Sequence, residues 1–363
     1  MAHKTETLSA RSDRAPNRGV FIVSLDLELA WGASDLWGQR TARMPEPLSE
    51  VLLQTRDVVI DALLELFQQY RIPATWAIVG HLFLDHCEPV NGLRHPDMPR
   101  PTHSWFKDDW YTRDPASTIQ TDPIWYGRDI VKKIMIAEPR QEVGCHSFSH
   151  VIFGDEGCSE DVAEAEVRKC VALAQELGIE LRSFVFPRSQ EGHHSILSKY
   201  GFLCYRTRRP GWFNALGGRA HKLARLLNDL LALSPSCAVV EKQPSGLWSI
   251  STSAYYRSAS GVGRIVPVQS RVRQGIKGIH RAIETSGVFH LCLHPWSLAV
   301  ETERLLGGLQ RILEYAVRES QEGRLNLLSM GQLAERMETS WSHPFEHVPG
   351  RRVEARKAEG VTG

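Results

Sequence analysis

Short apolar runs alternate with longer segments of helical period along most of this chain, and that alternation limits its architecture more than any other feature. Runs at 20–26, 74–79, 142–145, 183–186, 202–206, 288–293 and 325–328 have the length and composition of buried strands. Between them, 49–70, 126–137, 161–177, 195–200, 221–233, 272–285, 303–320 and 332–337 carry helical spacing of apolar residues. Strands separated by helices predict a mostly parallel sheet with helices packed on it. Ser49 is placed to cap the first helix, and Gly178 and Gly201 to end those at 161–177 and 195–200. No internal repeat is present.

Polar chemistry collects where these runs stop. The run Phe21 to Leu25 is interrupted by Asp26 and Glu28, and 288–293 is closed by His294 and Pro295. His146-Ser-Phe-Ser-His150 follows 142–145. On a helical turn, two imidazoles four residues apart share a face and reach one ion. In a chain with 15 His an isolated pair is weak evidence. The ends of strands are where parallel α/β architectures build their sites, and buried carboxylates there need partners. The bland readings are a helix cap for Asp26 and a hydrogen-bonded core histidine for His294.

Composition sets limits. A length of 363 residues, 42% hydrophobic and 23% charged, fits a soluble globular protein with a large core. The formal net charge of +1 gives no global drive toward nucleic acid or a membrane surface. Seven Cys without a Cys-x-x-Cys spacing read as free thiols in a reducing compartment. Residues 1–18 are polar, and no transmembrane-length apolar stretch occurs. The expectation is a cytoplasmic protein, the inner membrane surface included as a place of action. Residues 1–18 and 339–363 read as tails around one domain, 19–338. Its irregular segment 81–122, dense in Pro, His and Trp, is expected at the rim of a cleft.

Ser24-Leu-Asp26-Leu-Glu28, His146-Ser-Phe-Ser-His150, Phe184-Val-Phe-Pro187-Arg188-Ser-Gln190 and Leu293-His294-Pro295-Trp296 occur in the order of the polysaccharide deacetylase (NodB-homology) motifs. Pro73 to Gly80 is similar to that family's second core strand. The resemblance spans 19 to 337. It implies an α/β fold, a distorted (β/α) barrel of mostly parallel strands. It implies a metal-dependent hydrolase that removes an N-acetyl group from a sugar or glycoconjugate. Glu28, His146 and His150 would hold one divalent metal, zinc first, with Asp26 as general base and His294 as general acid. Arg188 would orient Asp26.

Three departures stand out. The family's adjacent Asp-Asp is Asp26-Leu-Glu28, so the roles of base and ligand are exchangeable. The family's arginine position holds Val185. The Asp-Trp motif is missing and Asp229 lies in a helix, which leaves His294 without an obvious Asp partner. Trp31, Trp125, Tyr126 and Trp296 adjoin the motifs and are candidates for stacking on an N-acetylated carbohydrate. Arg206, Arg208 and Arg209 follow a strand end and are candidates for a phosphate. Two alternatives stay open: hydrolysis of another non-peptide C–N bond on a small molecule, or a catalytically silent carbohydrate-binding barrel.

Overall fold

The first strand shows how the molecule sorts its residues. In the computed structural model, which describes residues 18–33, 46–208, 218–233 and 235–342, β1 (Gly19–Leu27) is buried along nearly its whole length. Successive side chains of a strand point to opposite faces. Phe21, Val23, Leu25 and Leu27 join the large core between sheet and helices. Ile22 joins a second, inner core with Ala77, Val185, Cys204, Trp248 and Ile250. Ser24 and Asp26 have the same parity as Ile22, so they face the same interior, nearer the strand's C-terminal end.

The strands run parallel around that interior. β1 pairs with β2 (Thr75–Ile78), β2 with β3 (Glu142–Cys145), β3 with β4 (Ser183–Val185), and β4 with β5 (Cys204–Thr207). β6 (Val240–Lys242) is antiparallel to β7 (Trp248–Ser251), which is parallel to β5. β8 (Ala254–Tyr255) is parallel to β9 (Val288–Leu293), and β9 to β1. β7 and β8 are successive halves of one extended segment. At their junction the Thr252 N–H donates to the Thr207 carbonyl and the Ser253 N–H to that of His290. One segment therefore bridges β5 and β9 and closes the ring into a distorted barrel. β10 (Leu325–Leu327) pairs with Gly19–Phe21, at the opposite end of β1 from Asp26.

Helices cover the outside. α1 (Ala30–Ala33) is a single turn after β1. α2 (Glu46–Gln54), a π-helical turn at Thr55–Val59 and α3 (Ile60–Gln69) form one continuous run. Ser49 lies inside it, so the predicted cap is wrong. α4 (Arg128–Ile136) precedes β3. α5 (Glu160–Glu176) starts at Ser159, whose side chain accepts the Val162 N–H. α6 (His194–Lys199), α7 (Gly218–Leu230), α8 (Val268–Thr285) and α9 (Thr302–Gln321) follow. α8 lies so close to β9 that a Cβ on Gly278 would sit 2.2 Å from the Phe289 ring. α10 (Met330–Ser342) is longer than predicted and runs past the expected domain end at 338. Its Met330, Leu333 and Ala334 belong to the inner core and plug the barrel's lower end.

Sequence periodicity missed β6, β7 and β8, which are short and rich in Ser, Lys and Tyr. The expected tails, 1–18 and 339–363, lie outside the described residues apart from residue 18 and the end of α10 at 339–342. No helix among the described residues is long and apolar enough to cross a membrane.

Candidate active site

The histidine motif leaves β3 as a loop. The helical turn that its spacing suggested does not form: Ser147 and His150 take left-handed backbone angles, φ 56° and 62°. Such angles are costly for non-glycine residues and persist only where surroundings enforce them. The Gly80 and His81 N–H groups donate to the Ser147 and Phe148 carbonyls at 2.7 and 2.8 Å. Glu166 of α5 accepts from the Ser149 N–H at 2.8 Å and its hydroxyl at 2.7 Å. The backbone reversal brings the two imidazole rings to 5.1 Å between centroids. His146 Nδ1 donates to the Val185 carbonyl at 2.7 Å, which turns its Nε2 toward the site.

Glu28 receives these rings at the top of β1. Its Oε1 lies 3.1 Å from His146 Nε2, 3.4 Å from His150 Nε2 and 3.1 Å from His294 Nε2. Gly32 makes room for it, since a Cβ there would stand 2.0 Å from Glu28 Oε2. Burial alone would raise the Glu28 pKa. The His294 charge and the imidazoles gathered around its carboxylate outweigh burial and hold it well below the usual carboxylate range. The buried His150 Nε2 has no hydrogen-bond partner among the described residues. A carboxylate oxygen facing two imidazole nitrogens, one of them unsatisfied, fits a divalent cation.

Asp26 is held from β5. The Arg206 guanidinium grips both Asp26 oxygens, each at 2.5 Å, and its Nη1 also donates to Ser24 Oγ at 3.1 Å. Ser24 passes its proton toward His290 Nε2 at 2.8 Å, and His290 Nδ1 donates to the Ser251 carbonyl at 3.2 Å. Burial, then the Arg206 charge, pushes the His290 pKa down to about 3, so this ring is neutral. Burial would raise Asp26, but Arg206 and then His294 bring it below its ordinary value.

Arg206 thus occupies the place expected for Arg188, whose guanidinium lies over the Trp105 ring at 4.3 Å. The phosphate reading of Arg206 is also overturned, because it is 5% exposed and committed to Asp26. Arg208 is exposed, and Arg209 lies outside the described residues. The signal for Arg206 was present in the sequence: a cation inside a strand-length apolar run.

His294 follows β9 and is the most open of the group, with 19% of its side chain exposed. As the missing Asp-Trp motif leads us to expect, its Nδ1 is buried without a hydrogen-bond partner among the described residues. Its Nε2 lies 3.6 Å from Asp26 Oδ2 as well as near Glu28. Burial lowers its pKa, but the Glu28 and Asp26 charges raise it overall, favouring the imidazolium. Asp229 pairs instead with Arg257 at 3.0 Å.

Three of the four aromatic candidates line the neighbourhood. Trp296 is half-buried, tilted against His294 at 5.4 Å. Trp31 and Trp125 meet edge to face at 5.3 Å. They share a small pocket with Phe106, Trp110, Arg113 and Ser149. Trp110 Nε1–H donates to the Ser149 carbonyl at 3.1 Å, so the irregular 81–122 segment reaches the residue before His150. Tyr126 does not fit a substrate role. It is fully buried and its hydroxyl donates to Asp114.

This barrel has the fold of the polysaccharide deacetylases. A protein classed as a polysaccharide deacetylase from Mycobacterium smegmatis superposes with TM-score 0.58 at 14% identity, covering 98% of this chain and 99% of that one. A second, from Pseudomonas aeruginosa, gives TM-score 0.55 at 11% identity over 90% and 92% of the two chains. The allantoinase Puue gives TM-score 0.56 at 12% identity over 95% and 100%. At these identities the likeness is one of fold. No family model matches the sequence, and no curated protein does.

Proposed function

We propose that this protein is a metal-dependent hydrolase that removes an N-acetyl group from a sugar or glycoconjugate. The observation that carries the reading is Glu28 Oε1 facing His146 and His150 Nε2, with Asp26 and His294 beside it. Glu28, His146 and His150 are the residues that would hold the ion, and one carboxylate with two imidazoles suits zinc. When bound, such an ion supplies Lewis-acid polarisation of the amide carbonyl and a more acidic water.

The chain's own groups supply proton transfers. Asp26, kept ionised and oriented by Arg206, takes a proton from the attacking water as the new C–O bond forms. His294, biased toward imidazolium by two carboxylates, gives its proton to the amine nitrogen as the C–N bond breaks. Acetate and a free amino sugar are the products. Trp296 stands where a sugar ring can stack.

The allantoinase-like fold favours a second reading, hydrolysis of another non-peptide C–N bond on a small compound. One experiment separates them. Zinc-loaded protein is assayed for acetate release from a panel of N-acetyl sugars and, in parallel, for ureide ring opening. Acetate release lost in His150→Ala supports the first reading. Ureide turnover alone selects the second, and neither activity at full metal occupancy sinks both.

A further inference from the structure

Below the active-site loop lies a second group of metal-binding side chains that the reaction does not use. His81 follows β2, and Cys87, His95 and Asp114 come from the irregular segment after it. All four are buried, and their donor atoms lie within 4.8 Å of one another. His81 Nε2 is 3.2 Å from His95 Nε2 and 3.2 Å from Asp114 Oδ2. His95 Nε2 is 2.7 Å from Asp114 Oδ2. Cys87 Sγ is 3.1 Å from the same oxygen and 3.5 Å from His95 Nε2. Ligands held at about 2.0–2.3 Å by a tetrahedral zinc stand roughly 3.3–3.7 Å apart. The observed spacings lie close to that, with the His95–Asp114 and Cys87–Asp114 edges the ones that must open.

The surroundings orient these atoms as ligands. His81 Nδ1 donates to the Trp125 carbonyl at 3.1 Å, which leaves the Nε2 lone pair of a neutral ring aimed at Asp114. Asp114 Oδ1 is taken by the Ala116 N–H at 2.9 Å and the Tyr126 hydroxyl at 3.1 Å, so Oδ2 is the atom left to face the centre. A lone pair facing a carboxylate in a dry interior is repulsive unless a cation lies between them. The alternative to a metal is one or two imidazolium protons shared with Asp114.

We propose that His81, Cys87, His95 and Asp114 form a closed structural zinc site, separate from the catalytic centre. Four protein ligands leave no position for water, which marks a structural site rather than a hydrolytic one. The ion would tie residues 81–114, which hold little regular structure, to the barrel. It would also brace the reaction centre. The His81 ring packs on Trp31 at 4.4 Å and on Phe148 at 5.5 Å, and Phe148 lies between the two catalytic-loop histidines.

Only this second site contains sulfur, so cobalt replacement reads it apart from the first. Cobalt-loaded wild-type protein should show a near-ultraviolet thiolate-to-cobalt charge-transfer band. The band should persist in the His146→Ala, His150→Ala double variant and vanish in Cys87→Ser. Zinc analysis should fall from two ions per chain to one in either variant. Absence of the band from folded, cobalt-loaded wild type overturns the proposal, and that measurement stands even where Cys87→Ser fails to fold. A band unchanged in folded Cys87→Ser also overturns it. Failure of the catalytic centre to bind metal would leave the band in place.

Discussion

At the residue scale the site is a set of charges that hold one another ionised. Asp26 lies on β1 and Glu28 comes two residues later, just past its end, so both face the barrel interior. Arg206 clamps the first and the imidazoles surround the second. That division sets the expectation for each carboxylate. Asp26→Asn should keep the metal and lose about 10²–10⁴ in kcat, the usual loss for a general base. Glu28→Gln should lose metal and activity together. Metal analysis beside kinetics checks both, and the reverse pattern exchanges the two roles.

Arg206→Met should behave differently again. It leaves a buried carboxylate without its cation, which costs about 3–5 kcal/mol. The Asp26 pKa must then rise, so the acid limb of the activity profile should move to higher pH. A fixed limb with lowered stability would mean that Arg206 serves folding only. At this scale the sequence exposed Asp26, Glu28 and His294, because each interrupts or ends an apolar run, and His146 and His150 by their spacing of four. It hid Ser24 and His290, whose importance lies in contacts 266 residues apart.

At the scale of elements the strained histidine loop depends on α5. Glu166 sits on that helix, buried, accepting from Ser149 and from the Tyr111 hydroxyl. Burial raises its pKa above the ordinary 4.5 despite these hydrogen bonds. The folded state therefore binds the Glu166 proton more tightly than the unfolded chain does. Its stabilising contribution is complete below about 4.5 and is lost as pH rises through the higher folded value. Glu166→Gln does not titrate, so its stability relative to wild type should improve as pH rises through that window. Denaturant unfolding on both sides of the window checks this, and a pH-independent difference would refute it.

The elements themselves were legible to different degrees. β1 and β9 were found because long apolar runs buried on both faces need no tertiary context. The loop's left-handed residues were not, since a histidine spacing of four looks the same on a helix and in a tight reversal. The π-helical turn inside the run from α2 to α3 carries no sequence mark that composition reveals. Gly278 is a positional signal that only the structure explains. Gly278→Ala should push α8 from β9 and cost about 1–3 kcal/mol, measured by urea unfolding.

At the scale of the whole molecule, one barrel interior changes character from end to end. Its lower part is apolar, closed by Met330, Leu333 and Ala334 of α10. Its upper part carries Ser24, His290, Arg206 and Asp26 in one hydrogen-bonded chain. The order of motifs along the chain foretold a mostly parallel barrel. Its closure through Trp248–Tyr255 was not foretold, because that segment is too short and polar to read as core. The lower plug supports the upper site only if the barrel unfolds as a unit. Met330 is fully buried, and Met330→Ala should cost about 2–5 kcal/mol. If the barrel is one cooperative body, near- and far-ultraviolet dichroism should lose signal at the same lowered temperature. Metal bound at Glu28, His146 and His150 should be retained below that temperature, because the hydrogen bond that Met330 makes, from its N–H to Thr75 Oγ1, reaches none of those residues. Loss of metal well before the dichroism transition would mean that the plug and the site communicate through local opening, and that the barrel is not the cooperative unit.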